Sequence, residues 1–335
     1  MTTGRPGTAA AAVPNAAYAG QVVQFPDPVR AERHPRGVRI DEAGYPDFAP
    51  YAAAAAEVAD PPEGFGVDEL RLTDYVSANA ALYTKGHELW ADLDTAVATP
   101  PGWTWHHAVG GAPAGWRRME LVPVEVKALL RHHGGLSRST ADHTRRGTRP
   151  LQEHRPVHFS LTKDGGDPLV VTEDLVQRAE QRLGHPLPAP YRDFLKLTGG
   201  RGPVGVALDV DLGLLVDQPF LTLSEEYGTH DLVYANKCLR DHLTKDYLAV
   251  AYLQGGLLAL KVRGERTGSV WFLPYDDARD AGAEEAPEQR VQRLLLPCGD
   301  SFDAFLLRLA GSPAELETVA ELMVDGGFAR AVPVN

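Results

Sequence analysis

The chain has 335 residues, of which 44% are hydrophobic and 23% charged, and its formal net charge is −12. A single hydrophobic core rarely grows beyond about 250 residues, so this length predicts two domains. No apolar run approaches the roughly 20 residues of a membrane span, and the acidic balance argues against a surface that binds nucleic acid over its whole extent.

Location is indicated by the cysteines and by the N-terminus. Cys238 and Cys298 are too few for a disulfide framework and lack metal-ligand spacing, so we expect small buried side chains in a reducing cytoplasm. The Ala-rich stretch from Thr8 to Val13 lacks the long apolar core of a secretory signal. An exported effector without a recognisable signal stays open.

The first part of the chain is rich in turns. Residues 1–17 are mainly Gly, Ala, Pro and Thr without periodicity, which predicts a flexible tail. A short strand is predicted at Val38–Ile40, and the alanines between Pro50 and Val58 predict a short helix. The apolar spacing from Asp68 to Lys85 predicts the first long helix, with Gly86 as its C-cap.

A two-strand, one-helix unit follows. The runs Trp103–His107 and Met119–Val122 are strand-like, and Pro123 suits the first turn of a helix that we expect to extend from Val124 to His132. Gly134 and Gly135 would end that helix. The pattern predicts a ββα unit.

A polar, basic linker is predicted for residues 136–169, between a domain at 18–135 and a second domain at 170–335. In the second domain, Thr172 caps a predicted helix and residues 190–197 form another. Glycine-separated β-like runs between Leu248 and Leu273 then predict an antiparallel meander, with helices near the end. The fold class is therefore predicted to be α+β, with two domains.

Charged residues are distributed unevenly along the chain. Arginines cluster in the middle of the chain, at Arg131, Arg138, Arg145, Arg146, Arg149 and Arg155, whereas acids gather near residues 276–288. A basic band beside an active site would hold phosphates by counterion release. A solvated linker is an equally good interpretation.

Three motifs in a fixed order point to a family. They are Trp105-His106-His107, then Met119 with Leu121-Val122-Pro123, and finally His132-His133-Gly134-Gly135. Together with Gly44-Tyr45-Pro46-Asp47-Phe48 upstream, residues 18–135 resemble toxin nucleases of the WHH type in the HNH superfamily. The resemblance implies a ββα-metal, treble-clef-like fold and phosphodiester hydrolysis of DNA or RNA.

The resemblance also implies roles for the histidines. His106 and His132 would bind a divalent ion (Mg²⁺, Mn²⁺, Ni²⁺ or Zn²⁺), and His107 would be the general base. Neutral imidazoles suit both roles, and neighbouring residues of a strand point to opposite sides, so the pair can divide them. We expect all three imidazoles to converge on one pocket.

Lys127 departs from the family pattern, which has a histidine at this position. An ammonium offers no lone pair to a metal unless its pKa falls by several units. Three alternatives stay open: Glu125 or His133 completes the site, the metal is lost, or Lys127 contacts the phosphate and takes part in catalysis.

The second half resembles another family. Leu187-Pro188, Tyr191, Phe194-Leu195 and Gly199-Gly200, followed by the β-like runs, resemble SUKH domains over residues 170–310. Most of these positions are core or turn residues and indicate fold rather than chemistry. Such domains are known as immunity proteins and protein-binding modules, and an acidic surface could occupy a basic nuclease cleft. Asp209, Asp211 and Asp217 are interpreted as loop acids, not as a metal site.

These observations favour a metal-dependent HNH endonuclease that a SUKH domain restrains or targets in cis. The nuclease half would bind DNA or RNA, and the SUKH half a protein or the nuclease domain itself; no membrane partner is expected. One rival is a degenerate nuclease fold that serves as an immunity or binding factor. Another is an HNH fold reused for chemistry outside nucleic acids.

Overall fold

The computed structural model describes residues 13–61, 64–138, 157–159, 170–209, 211–224, 228–280, 285–311 and 314–334. Its strands are β1 (Val22–Val23), β2 (Val38–Ile40), β3 (Pro46–Asp47), β4 (Ala54–Ala59), β5 (Trp103–His107), β6 (Trp116–Pro123), β7 (Ala207–Asp209), β8 (Leu214–Val216), β9 (Tyr247–Leu253), β10 (Gly256–Lys261), β11 (Val270–Pro274), β12 (Leu296–Gly299), β13 (Leu309–Gly311) and β14 (Ala329–Val332). The α-helices are α1 (Pro28–Arg33), α2 (Val67–Thr84), α3 (Val124–Lys127), α4 (Glu173–Leu183), α5 (Ala189–Thr198), α6 (Leu232–Cys238), α7 (Pro287–Leu294), α8 (Phe302–Arg308) and α9 (Ala314–Asp325).

The fold is a mixed α+β arrangement of several small antiparallel sheets. Two sheets are built from strands of the first half, with the orders β1-β2-β3 and β14-β4-β6-β5, the second of which also contains β14 from the end of the chain. Two more lie in the second half, with the orders β12-β11-β10-β9 and β13-β7-β8. The predicted fold class is thus confirmed at this level.

The alanine run between Pro50 and Val58 is a strand, so the prediction of a helix there was wrong. These residues form β4, which pairs with β6 on one side and β14 on the other. Ala54, Ala56 and Val58 are buried beneath α2, and small side chains allow that close packing. Tertiary packing therefore overrides the helix preference of alanine.

The end of the chain joins the sheet that contains β4, β5 and β6. β14 pairs with β4 from Ala329 opposite Val58 to Val332 opposite Ala55. Leu316 and Ala320 of α9 pack in a cluster with Leu72 and Val76 of α2. The domain boundaries stay predictions, but the last helix and strand of the range 170–335 are packed with the first half.

The predicted β-strand pair and helix are present as β5, β6 and α3. β5 and β6 are antiparallel, with His106 opposite Glu120 and His107 opposite Met119. The helix is shorter than predicted: it ends at Lys127, and His132 lies beyond it in a bridge with Asp276. The backbone N–H of His132 donates to the carbonyl of Tyr275, a contact with the second half that sequence periodicity does not show.

The second half confirms the predicted meander. β9, β10 and β11 are consecutive antiparallel neighbours, and β12 adds an edge. Thr172 caps α4 by accepting a hydrogen bond from the Leu175 N–H, as predicted. The core of this half contains Tyr191, Phe194 and Phe302 in mutual contact.

Several expectations fall partly outside the described residues. Four arginines of the basic band lie outside the described residues: Arg145, Arg146, Arg149 and Arg155. Residues 1–12 of the predicted tail also lie outside them. Asn15, at the end of that tail, is buried and its amide donates to the Arg131 carbonyl at 2.6 Å.

Both cysteines carry free thiols; Cys298 is buried and Cys238 half-buried. Across the described ranges, no helix combines the length and apolarity needed to cross a bilayer.

Buried polar contacts join the two halves. Gln254, at the tip of the β9–β10 hairpin, accepts hydrogen bonds from the Thr104 hydroxyl and the Trp105 N–H of β5. Gln218 accepts from the Gly102 N–H at 2.8 Å. Gly255 follows Gln254 with φ +84°, and a Cβ there would lie 2.9 Å from the Tyr75 hydroxyl. The hairpin tip therefore fits against α2 only with glycine at this position.

Candidate functional site

His106 and His132 face each other in a buried pocket. Their ring centroids lie 5.1 Å apart, and the Phe48 ring meets both edge-on, at 4.8 Å from His106 and 5.4 Å from His132. His106 Nδ1 and His132 Nε2 are buried and have no hydrogen-bond partner among the described residues. The structure thus brings together the two histidines that the sequence predicted as metal ligands.

Both imidazoles are held in the neutral form. Burial, and after it the neighbouring His132 and Lys127, lower the pKa of His106 well below its usual value. Burial lowers the pKa of His132 to about 4. A neutral imidazole keeps the lone pair that a metal or a proton needs.

His107 lies on the other side of β5 and contacts different residues. Its Nε2 is 2.9 Å from the Asp74 carboxylate, and its ring packs against Tyr75. Arg117 donates to the same carboxylate at 2.6 and 3.0 Å. Although burial acts to raise the pKa of Asp74, the His107 bond and the Arg117 charge outweigh it and lower that pKa. Asp74 is therefore an ionised group that orients His107.

The expected convergence of three imidazoles is only partly present. His106 and His132 share a pocket, whereas His107 is turned towards α2, as the alternation of side chains along a strand requires. Burial lowers the pKa of His107, against the opposing effect of Asp74. The roles of ligand and base stay predictions.

Lys127 is 2% exposed, and its ammonium donates a hydrogen bond to the Trp105 carbonyl of β5. Burial lowers the pKa of Lys127 to about 7, and the charge of Arg71 acts in the same direction while Asp276 opposes both. The ammonium therefore links α3 by a hydrogen bond to β5, the strand that carries His106 and His107. Contact of Lys127 with a phosphate stays a prediction.

The two alternative metal ligands are bound elsewhere. The Glu125 carboxylate receives hydrogen bonds from Arg33 at 2.9 Å and pairs with His34 at 2.7 Å. His133 Nε2 is 2.8 Å from the Asp280 carbonyl of the second half. Within the described ranges, no group of three or more His, Cys, Asp or Glu side chains could hold a metal ion.

These residues do not fit a divalent ion held by three protein ligands. Two neutral imidazoles bring no negative charge, and a lysine occupies the position of the third ligand. Structural and catalytic zinc sites use at least three protein ligands, and harder cations require oxygen ligands. In this arrangement Glu125 and His133 bind other groups and do not complete a site with His106 and His132.

The segment that carries His132 is bound by one loop of the second half. We call residues 131–137 the His132 segment and residues 275–280 the covering loop. Asp276 accepts from the Gly134 N–H at 2.9 Å and from the Ser137 hydroxyl. Asp280 pairs with Arg131 through its carboxylate. The Tyr275 and Asp280 carbonyls bind His132 and His133, as described above.

Two glycines make this close approach possible. A Cβ on Gly134 would lie 2.7 Å from an oxygen of Asp276, and one on Gly135 would lie 2.7 Å from the Ala108 carbonyl. The Gly135 N–H also donates to the His107 carbonyl at 2.9 Å. The glycine pair of the motif thus lets the His132 segment fit between β5 and the covering loop.

Two grooves approach the site on either side of the loop that follows β5. One, of about 390 Å³, is lined by His107, Arg117, Arg118 and Arg138. The other, of about 300 Å³, is lined by His106, Asp47 and Glu120 among others. In the His107 groove, Arg117 is paired with Asp74 and Asp60, and Arg118 with Glu120. Arg138 has no acidic partner among the described residues and is the side chain of this lining that could attract a phosphate.

Sequence reasoning missed three residues of this site. Phe48 was noted only as part of an entry motif, whereas Asp74 and Asp276 were assigned no role. Asp74 lies in the middle of the predicted helix, with Leu70 and Ala78 one turn away on either side, and a carboxylate at that place was a usable signal. Asp276 was not predictable, because its partners lie about 140 residues away in sequence.

Two of the acids interpreted as loop residues are buried. Asp209 lies in β7 and pairs with Arg308 at 2.9 Å. Asp217 accepts from the Thr99 N–H and from Gln254, and burial raises its pKa to about 6. Asp217 therefore joins the two halves.

Comparisons with known families match two separate segments of the chain. Residues 96–142 match the family model described as a nuclease of the HNH/ENDO VII superfamily with conserved WHH, and residues 170–308 match the SMI1/KNR4 family (SUKH-1). The first match includes β5, β6, α3 and the His132 segment. A search of curated proteins found no match. Membership of the HNH superfamily typically goes with metal dependence and suggests a nucleic-acid substrate.

Proposed function

Because the chain carries a WHH domain of the HNH/ENDO VII nuclease superfamily and a SUKH-1 domain, we propose that it is a nuclease-type protein of a toxin–immunity system, held closed in cis by its SUKH-1 half. One observation carries this proposal: the covering loop binds the His132 segment through Asp276, Asp280 and the Tyr275 carbonyl. His132 is 1% exposed beneath that loop. The two grooves reach His106 and His107, whereas a phosphodiester must displace the loop to reach His132 as well.

Hydrolysis of DNA or RNA is the activity we propose for the opened form. If Asp74 accepts the Nε2–H of His107, the lone pair on Nδ1 is available to take a proton from water. Arg117, Arg118 and Arg138 line the same groove, and Arg138, which has no acidic partner among the described residues, would receive a phosphate. The β5–β6 hairpin with α3 supports a fold of the ββα-metal type, but the donor set does not fit an ion, and no step is assigned to one.

Lys127 favours a second candidate function. A buried lysine in place of the third imidazole supports a degenerate nuclease fold that serves as a cytoplasmic immunity or protein-binding factor. In both candidate functions the covering loop binds the His132 segment. They differ in whether loosening the covering loop is enough to start cleavage.

The test uses the full-length chain with supercoiled plasmid and single-stranded RNA, with EDTA or with Mg²⁺, Mn²⁺, Ni²⁺ or Zn²⁺. Four proteins are compared: wild type, Asp276→Ala, Lys127→His and the double variant. Asp300→Ala removes an exposed carboxylate that pairs with Arg266 in the second half and is the matched control. Truncation at residue 150 is unsuitable, because it removes β14 from the sheet.

We expect no cleavage by the wild type and by Asp300→Ala. Cleavage by Asp276→Ala would identify a restrained nuclease, and cleavage by the double variant alone would identify a degenerate one. In either active protein, His107→Ala should abolish the activity. Wild-type cleavage at the rate of Asp276→Ala would show that the covering loop does not restrain the site.

A further inference from the structure

A wide basic groove crosses the surface of the second half, away from the histidines. It has a volume of about 1080 Å³ and lies between the end of α4, the α6 helix with the turn that follows it, and the start of α7. Six basic side chains line it: Arg182, Lys237, Arg240, Lys245, Arg263 and Arg290. We call it the basic groove.

The charge of this groove is opposite to that of the whole protein. Two acids, Asp241 and Glu288, line it against the six basic residues, on a chain whose net charge is −12. Arg182, Arg240 and Lys245 are exposed and form no ion pair with the residues that the structure describes. Lys237 is paired with Asp27 at 3.1 Å. The positive charge that stays unpaired in this concave surface focuses the field on an anionic partner.

Arg290 adds an independent observation. Its side chain is buried, and one terminal nitrogen donates to the Asp241 carbonyl at 3.3 Å. Its Nε is buried without a hydrogen-bond partner among the described residues. A buried guanidinium with an unsatisfied donor is costly unless a ligand or water completes it, and carboxylates are its best-matched partners.

The floor of the groove is apolar. Leu183, Val233 and Tyr247 are half-buried, with one side packed on the core of the second half and the rest facing the groove. A ligand with only charged side chains would leave this apolar surface exposed to water. A ligand with alternating acidic and apolar side chains would cover both the floor and the basic rim.

We propose that the basic groove binds an extended acidic peptide segment of a partner protein that also carries apolar side chains. A nucleic acid fits less well, because Tyr247 and His185 are the two aromatic rings among the described residues that line the groove, and Tyr247 already packs edge-on against Trp271 at 6.2 Å. Single strands bind chiefly by stacking on aromatic rings, and a net charge of −12 repels a duplex. The groove is separate from the closed nuclease-type site, so either proposal can fail alone.

The test measures fluorescence anisotropy of a labelled decapeptide of alternating Glu and Leu with the full-length chain. Decapeptides of Glu alone and of alternating Lys and Leu, and a ten-nucleotide oligo(dT), are the comparison probes. Arg240→Glu and Arg240→Glu/Lys245→Glu reverse exposed charges in the groove. Lys85→Glu makes the same single charge reversal at the exposed C-cap of α2 and is the matched control.

We expect the Glu-Leu peptide to bind most tightly and to weaken as salt rises. Arg240→Glu should weaken it roughly fivefold and the double reversal by considerably more, whereas Lys85→Glu should leave the Kd within about twofold. Equal thermal melting of the variants confirms that their folding is intact. The proposal is overturned if the peptide does not bind, if Arg240→Glu and Lys85→Glu act alike, or if oligo(dT) binds more tightly and through the same residues.

Discussion

At the scale of single residues, Lys127 is where this site departs from the residue pattern of the WHH family. An imidazole there would extend the His106–His132 pair, whereas the ammonium binds the Trp105 carbonyl and brings a positive charge beside two neutral rings. Removing an ammonium from water costs free energy, and burial accordingly lowers its pKa to about 7. Lys127 therefore destabilises the folded state near neutral pH while it fills the ligand position.

The pH dependence of stability tests this cost. Between about pH 7 and 10.5 the unfolded chain keeps a proton on Lys127 that the folded chain releases, so this residue makes stability rise with pH, by at most about 1.4 kcal/mol per unit. Lys127→Met removes the effect. We expect urea unfolding to show that the free energy of unfolding of Lys127→Met, minus that of the wild type, is largest at pH 7 and smaller at pH 9.

Lys85→Met, at an exposed position, should show no such trend. A constant difference between Lys127→Met and wild type from pH 7 to 9 would contradict the account, because it would mean that Lys127 titrates as in the unfolded chain.

At the scale of elements, local patterns predicted most of the helices and, apart from β4, every strand of five residues or more, but neither the shorter strands (β2 excepted) nor the partner of each element. The periodicity of Asp68–Lys85 and the Thr172 cap correctly predicted α2 and α4. The alanines of β4 were misread because their burial depends on α2 above them and on β14 from the far end of the chain. Contacts over such separations leave no trace in local periodicity.

Arg330 of β14 gives an element-scale prediction. Its guanidinium pairs with Glu57 at 2.7 Å and lies 4.3 Å from the centroid of the Trp116 ring, and so joins three neighbouring strands. Arg330→Ala leaves the Glu57 carboxylate, which is only 8% exposed, without this partner. We expect a loss of about 1–2 kcal/mol in the free energy of unfolding, measured with urea.

Arg266 offers a matched comparison. It pairs with Asp300 and lies 5.0 Å from the Trp271 ring, and the two arginines are equally exposed, but the Asp300 side chain is 91% exposed. Arg266→Ala should cost less than about 0.5 kcal/mol. Equal losses in the two variants would argue against burial of Glu57 by β14.

At the scale of the whole molecule, the two halves form one connected structure around the site. Motifs in the sequence predicted both families and brought His106, His107, Lys127 and His132 to attention. They could not predict that His107 would turn towards Asp74, or that Asp276 would hold the His132 segment. Both facts depend on which surfaces meet, and only the folded chain determines that.

The central claim is that the covering loop holds the His132 segment closed, and hydrogen exchange of residues 131–137 tests it most directly. In the wild type these amides should exchange as slowly as those of β9 and β10. Asp276→Ala leaves the Gly134 N–H without its acceptor and should speed their exchange roughly tenfold to a hundredfold, with β9 and β10 unchanged. Asp277→Ala, which removes the neighbouring carboxylate bound to Arg279, should have little effect on this segment. Fast exchange of residues 131–137 in the wild type would contradict the closed site.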